Sequence, residues 1–430
     1  MDGAGDVEKT LNEADAPVEV SQWQRHCIYR VPACIKDLNP KAYRPQVVSL
    51  GPFHHGNAEL LPMEEHKRRA LRHLLRRADR PLKEFRAAMQ DAAEQLESAY
   101  LDLGAEWRGG EGGNERFLEM LIVDGCFLLE VMRVAVVAGH HDGDYALNDP
   151  IFSRHGVLYM VPYIRRDMLM LENQLPLLVF ETLVAVETAM PQNHEVISRM
   201  VLRFLSPSSR LPPAGVELGL HPLDVYRGSL LHGSYQGSRA VPDTADMEII
   251  RPAVELCEAG IRFKKSRTDS LRDIRFKHGV LTMPALVLDD STEYMLLNMM
   301  TFERLHAGAG NDIMAYVFFM SNLLDSAKDV ALLGSKGIVQ NAVGSDKAAA
   351  KMFESMSKDV VLEPESALDA VHLQVNAYCR SPWSMCRASL RHSNACFRTP
   401  WALFAAAVLL VMIIMQTIYA VLQFYRPGQR

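Results

Sequence analysis

His54 and His55 stand side by side in "PQVVSLGPFHHG", residues 45–56, and Glu64 and His66 follow shortly after. Imidazoles and carboxylates gathered in one place could ligate a metal ion or move protons in acid–base chemistry. Neighbours in an extended chain point to opposite faces, so this pair converges on one ion only across a turn. Metal spacings such as H-E-x-x-H are absent. The Gly51-Pro52 turn offers a plainer reading, a bend that positions chain. Cys126 in "VDGCF" would need an electropositive or helix N-terminal setting to act as a nucleophile. Its leucine and phenylalanine neighbours argue instead for a buried, inert thiol. Glu172, Asn173 and Gln174 in "LENQLP" abut an apolar run, where polar groups must find partners; backbone freed by Pro176 is the expected one.

No reaction set emerges. "LGSKG" is too short for a phosphate loop and lacks the following Ser or Thr, and "GGEGGN" has neither lysine nor a preceding strand. Nucleophile-elbow and kinase signatures are missing. His140-His141 reads as an exposed loop, and Asp289-Asp290 as helix capping. The sequence therefore nominates no catalytic residue, metal ligand set or cofactor. A rival reading places an enzyme site near His54, His55 and Glu64.

Two basic stretches are more informative. Arg69, Arg72, Arg76, Arg80 and Lys83 step by three or four, a spacing that predicts one stripe opposite a leucine face. "RFKKSRTDSLRDIRFKH", residues 262–278, holds seven Lys or Arg, Lys264 and Lys265 among them, against two Asp. Either stretch could meet anionic lipid headgroups, or simply be a solvated face paired with Glu and Asp. Interleaved aromatics are lacking, which argues against nucleic acid as partner.

The 430 residues carry a net charge of -6, and residues 1–19 hold six acids against one base. That leader reads as a disordered, solubilising arm. No basic and apolar signal segment opens the chain. Seven cysteines without regular spacing, and no N-x-[ST] sequon, suggest reduced thiols and a body outside the secretory lumen. "WALFAAAVLLVMIIMQTIYAVLQFY", residues 401–425, has no charged residue. A bilayer core of about 30 Å needs roughly 20 apolar residues as a helix. Trp401, Tyr419 and Tyr425 suit the interfacial belts. With residues 426–430 as a short tail, the segment reads as a tail anchor. Arg387, Arg391 and Arg398 before it outnumber Arg426 and Arg430 after it, tilting the body toward the cytosol. Cys379, Cys386 and Cys396 precede the span, and Cys396 is the best placed for S-acylation.

These features need elements to position them. Closely spaced prolines exclude a long helix over 20–62, and "QVVSL" fits a short strand. Helix is expected from Met63 to Leu103, divided or kinked at Pro81. After a connector at 108–114 comes an apolar helix containing Gly125. Residues 164–190 predict one apolar helix kinked near Pro176. The Pro-, Gly- and Ser-rich stretch 206–242 reads as a loop, and as the place to look for recognition. Helix at 247–259 ends at Gly260. "IRFKK", "DIRF" and "VLTMPALVLDD" suggest one small antiparallel sheet. Helices follow at 291–306, 312–328, 346–357 and 364–380. The fold class is mainly α: a large helical globular domain over 20–395 with a small antiparallel β element, plus a transmembrane helix at 400–425.

"IYRVPACIKDLNPKAYRPQVVSLGPFHHG" resembles the opening signature of a plant family known as domain of unknown function 247. "MLIVDGCFLLEVM", "DMLMLENQLPLLVFETL", "AVELCEAGIRFKK", "DIRFKHGVLTMPALVLDDSTEYMLLNMMTFE" and "DVALLGSKGIVQNAVGSD" are similar to its internal blocks, in order. The likeness runs from about residue 24 to 355 and on to the terminal span; 206–242 departs from it. The resemblance implies a membrane-associated plant protein of uncharacterised biochemistry, with recognition in self-incompatibility for some grass members, and transfers no catalytic residue. The function expected is a membrane-anchored interaction protein with lipid and an unidentified protein as partners.

Overall fold

The computed structural model describes residues 25–108, 112–136, 145–191, 194–206, 219–233, 249–358, 360, 368–381 and 400–425. The acidic leader, His140-His141, Cys386, Cys396, the tail 426–430 and both flanks of the expected 206–242 loop lie outside them.

The chain enters through the short helix α1 (Ala33–Lys36) and a 3-10 turn at Pro40–Tyr43. Helix α2 (Pro62–Ala78) has proline in its first turn beside Glu64 and Glu65, which suit the positive end of the helix dipole. It stops where Asp79 adopts φ 50°, and Pro81 then caps α3 (Leu82–Asp91). The expected division at Pro81 is therefore present, and α4 (Ala93–Ser98) follows. Helix α5 (Gly113–Val136) is buried along most of its length. Gly125 is required there: a Cβ would meet Leu183 Cδ1 at 2.5 Å and Val179 Cγ1 at 2.8 Å.

After α6 (Arg154–Tyr159) and α7 (Val161–Asp167) the structure departs from expectation. Residues 168–176 are not helical, and α8 (Leu177–Thr188) begins only after Pro176, its N-cap. One kinked helix is replaced by two helices and a buried connector at the seam between two hydrophobic clusters. Leu169 and Leu171 enter one cluster and Met168 and Leu175 the other, while successive turns, closed by Met170 N to Asp167 O and Asn173 N to Met170 O, carry the chain between them. Helix α9 (His194–Leu205) follows. A second departure is α10 (Pro222–Leu230), inside the stretch expected to be loop. Leu223 and Val225 are core residues there, so this part of 206–242 is architecture.

Helix α11 (Ala253–Glu258) is shorter than expected, starting after Pro252, and Gly260 with φ 98° marks the exit. Strands β1 (Arg262–Lys265), β2 (Arg275–Lys277) and β3 (Val280–Met283) form a sheet in the order β1-β3-β2. Strand β4 (Leu286–Leu288) pairs with β5 (Val339–Asn341) in a second sheet. The expected single antiparallel sheet is thus two: β1–β3 and β4–β5 are parallel, and β2–β3 is antiparallel. Pro284 separates the strands that "VLTMPALVL" suggested were one.

Helices α12 (Thr292–Leu305) and α13 (Asp312–Leu323) lie where expected, but α13 ends before α14 (Ala327–Ser335), which a Ser326–Asp329 capping box starts afresh. Helices α15 (Asp346–Ser357) and α16 (Asp369–Cys379) complete the body. Helix α17 (Pro400–Tyr425) is long and apolar enough to cross a membrane, and none of Ala405–Leu422 is buried. At 1.5 Å per residue it measures about 39 Å. Its Thr417 hydroxyl donates to Ile413 O at 2.8 Å and so stays satisfied within the helix. The mainly helical architecture with a minor β component is the one expected.

Candidate functional site

The "QVVSLG" segment, expected as a short strand, is not one: it bends at Gln46, Val47 and Gly51. Its backbone bonds go to side chains. Asp167, fully buried at the end of α7, accepts from the N–H groups of Gln46 (3.0 Å), Val47 (2.7 Å) and Val48 (3.0 Å). Burial pushes the Asp167 carboxyl up, and the three N–H donors work against that. Asn173 replaces a neighbouring strand, accepting from Leu50 N at 2.7 Å and donating to Val48 O at 3.1 Å. Gln174 donates to Met168 O and Met170 O and accepts from Leu223 N, joining the seam to α10. Glu172 accepts from Val31 N at 2.6 Å and pairs with Lys36 at 2.7 Å. Burial acts to raise the Glu172 carboxyl, but the approach of His54, the Lys36 bond and charge and the Val31 N–H together hold it below its ordinary value. "LENQ" therefore holds four separate parts of the chain rather than backbone freed by Pro176.

Lys67 stands beneath this segment, fully buried with a relative exposure of 0%. Its ammonium reaches Ser49 O (2.6 Å), Glu64 Oε1 (2.6 Å), Asp124 Oδ1 (2.7 Å) and Ser49 Oγ (3.1 Å). Asp124, 1% exposed on α5, also accepts from Gly51 N at 2.9 Å. Burial raises the Asp124 carboxyl and the Lys67 charge opposes it. Gly51 is obligatory: φ is 70°, and a Cβ would lie 2.8 Å from Gln174 O.

A serine beside a lysine is a nucleophile–base arrangement in form. Here both are buried, and an ammonium held between two carboxylates offers no lone pair to a hydroxyl. None of the surface concavities described is lined by Ser49, Lys67 or Asp124. The arrangement stabilises chain geometry.

His54, His55 and Glu64 take partners in three places. His54 Nε2 lies 3.4 Å from Glu172 Oε2, too poorly aligned for a hydrogen bond, and its Nδ1 faces Asn57. The His55 ring packs edge-on against Trp107, with centroids 5.4 Å apart. Glu64 belongs to Lys67. His66 Nδ1 accepts from Arg69 at 3.2 Å, and burial with that charge lowers its pKa. Among the described residues no group of three His, Cys, Asp or Glu is placed to hold a metal ion. Cys126 is buried in α5, and burial pushes its thiol well up.

The residues singled out as basic divide as well. Arg69 pairs with Asp149, Arg80 with Glu84 at 2.9 Å, while Arg72 and Arg76 on α2 and Lys83 on α3 are exposed. The stripe is therefore shared by two helices and broken at Asp79. Lys264 and Lys265 are both exposed but point to opposite faces of the sheet. Tyr419 is 68% exposed on α17, which also carries Trp401 and Tyr425.

Sequence reasoning missed Lys67, Asp124, Asp167 and a second buried pair. Glu303 accepts from Arg227 Nε and from Ile313 N and Met314 N, each at 3.0 Å, closing the N-terminus of α13. Burial pushes the Glu303 carboxyl up to about 7, against the Arg227 charge. A signal for Lys67 existed. Met63, Lys67, Ala70 and Leu74 are the buried positions of α2, so this lysine occupies a slot in the apolar repeat.

A family model described as "plant protein of unknown function" (DUF247) matches residues 28–415. The chain is 30% identical over 421 residues to the UPF0481 protein At3g47200 of Arabidopsis thaliana, covering 90% of this chain and 84% of that protein. It is 23% identical to the putative UPF0481 protein At3g02645 of the same plant, covering 90% and 88%. No solved structure matches it.

Proposed function

The chain belongs to this plant family of proteins of unknown function, and from that premise we propose that it is a membrane-anchored interaction protein whose body binds another protein. Helix α17 is the anchor and the body lies on the cytosolic side. Recognition in plant signalling, of which self-incompatibility is one instance, is the process such a scaffold serves. The observation that carries this reading is the fate of the candidate chemistry. The candidate groups among the described residues are engaged in holding the chain, while the 26-residue apolar helix α17 leaves Ala405–Leu422 unburied. Free carboxylates, a thiolate or converging imidazoles would favour an enzyme; the His54, His55 and Glu64 arrangement supplies none of these.

The test has two arms. Deleting 400–430 should move the protein from membranes resistant to alkaline extraction into the soluble fraction; retention in membranes would overturn the anchor. His54→Ala with His55→Ala should leave membrane residence and partner capture unchanged. Turnover of a small molecule by the purified full chain, abolished in that double variant while its fold persists, would establish the enzyme instead.

A further inference from the structure

The β1-β3-β2 sheet buries one face and leaves the other to solvent. Phe263, Phe276, Leu281 and Met283 point into the core. The register places Arg262, Val280 and Lys277 in one row across the solvent face and Lys264, Thr282 and Arg275 in the next. Four cations thus stand at the corners of a rectangle with a valine and a threonine at its centre. Strand spacing makes it about 10 Å across and about 7 Å along the strands. The face forms a shallow concavity of about 610 Å³ lined by these six residues and Phe263.

Charge in this region is unbalanced. Arg275 is matched by Asp273 at 2.8 Å, and Asp273 is already shared with Ser266 and Thr268. Arg262, Lys264 and Lys277 are exposed and have no carboxylate within ion-pair reach among the described residues. The sheet also lies at the exit toward the anchor. Tyr378 of α16, the last described helix of the body, packs edge-on against Phe276 of β2, with centroids 5.5 Å apart. Residues 382–399 then lead to α17. Fully extended at ~3.5 Å per residue, they reach no more than about 65 Å, so the tether holds the body, this sheet included, within that distance of α17 and at high local concentration.

We propose that the solvent face of the β1-β3-β2 sheet, through Arg262, Lys264 and Lys277, docks on the anionic phospholipid headgroups of the bilayer that holds α17. This rests on the anchoring reading above. Charge complementarity selects the occupant: long, mobile cations on a nearly flat face suit a diffuse anionic surface, with each cation strengthening attachment about fivefold. No aromatic ring stands exposed on this face to stack a base, which disfavours nucleic acid.

The experiment uses the full chain reconstituted in vesicles of phosphatidylcholine alone or with phosphatidylserine added. Amine modification at each lysine is read by peptide mass spectrometry, with the exposed Lys347 and Lys351 of α15 as internal references. Lys264 and Lys277 should be modified severalfold less on phosphatidylserine vesicles, the references should not change, and high salt should remove the protection. In the Arg262→Glu, Lys277→Glu variant, Lys264 should lose its protection. Equal modification on both vesicles, or equal protection of the references, overturns the proposal. Protection by inorganic phosphate on neutral vesicles would assign the face to a free anion, and protection only when an acidic protein is added would assign it to a protein partner. Alkaline extraction of the same vesicles keeps the two readings apart: release of the chain defeats the anchor, whereas retention with equal modification defeats the docking face alone.

Discussion

The interior around Lys67 and the solvent face of the β1-β3-β2 sheet both gather cations, and they treat them in opposite ways. Lys67 is enclosed by two carboxylates, a carbonyl and a hydroxyl, every one within 3.1 Å. Arg262, Lys264 and Lys277 stand in water with no carboxylate partner described. Burying a charge costs several kcal/mol unless it is paired and hydrogen-bonded, so the first group exists only as a complete set. An exposed cation costs little and can wait for a partner. Pairing with burial marks architecture; charge without pairing, on a flat face, marks a surface kept for something else.

The comparison breaks most visibly at Asp124. Asp124→Ala leaves the Lys67 ammonium buried beside one carboxylate and strips Gly51 N of its acceptor. A loss of about 4 kcal/mol is expected, measured by denaturant unfolding of the detergent-solubilised full chain. Lys67→Met with Asp124→Leu should lose clearly less than the two single changes added together, because the only charge left without its partner is Glu64, whose side chain is 15% exposed to water. A cost under about 1 kcal/mol for Asp124→Ala would mean that water reaches the site and the interior reading is wrong.

Asp167 comes next. Asp167→Ala leaves three consecutive N–H groups of 46–48 without their acceptor, and about 3 kcal/mol should be lost. Asp167→Asn keeps one acceptor oxygen and should recover roughly half of that. If Asp167→Ala unfolds at the same denaturant concentration as the parent, the three N–H bonds contribute nothing.

How much of this was legible follows from what each signal depends on. Helices α5 and α13 and the break at Pro81 depend on local pattern and were readable. Residues 168–176 were not: the whole stretch is buried, so Glu172, Asn173 and Gln174 turn inward instead of marking a solvent face, and periodicity alone cannot separate such buried turns from helix. "QVVSL" was read as a short strand and is not one, since its partners are the Asp167 and Asn173 side chains, about 120 residues away. Helix α10 was hidden by its nine-residue length among glycines and prolines. The histidine pair drew attention because of its residue types, whereas the groups that govern the site, Lys67 and Asp124, are ordinary charges in places where charge is unusual. Position within the apolar repeat was the better guide.

Acidification probes the interior from another side. His221 caps α10, its Nε2 lies 3.0 Å from Cys27 O, and burial holds its pKa down to about 4. In the unfolded chain the value returns to about 6.5. Between these values only the unfolded chain binds the proton, so the stability His221 provides is complete above about pH 6.5 and is lost as the pH falls toward 4. By pH 5 this amounts to about 2 kcal/mol. Other groups titrate in the same window, Glu303 in the opposite direction, so the readable quantity is a difference. The stability of His221→Gln should fall less between pH 7 and pH 5 than that of the parent, by that amount. Parallel pH curves would show that the ring is hydrated or already charged in the fold.

The smallest effect sharpens the comparison most. Along β1 and β2 the cations stand two residues apart, Arg262 with Lys264 and Arg275 with Lys277, on the same face. At ~7 Å in water two like charges repel by about 0.6 kcal/mol before screening. Lys264→Thr or Lys277→Thr removes that repulsion and brings a β-branched residue suited to a strand. Each change should therefore leave stability unchanged or raise it by a few tenths of a kcal/mol at low salt, and salt near 1 M should erase the gain as screening shortens to about 3 Å. The Lys67 set, shielded from the solvent, should show no comparable response to salt. If both regions respond alike, Lys67 is not sealed from water; if the threonine variants are destabilised well beyond this scale, the sheet cations are structural after all. Stabilisation on removing charge would show that this face tolerates its own repulsion, which folding alone does not require.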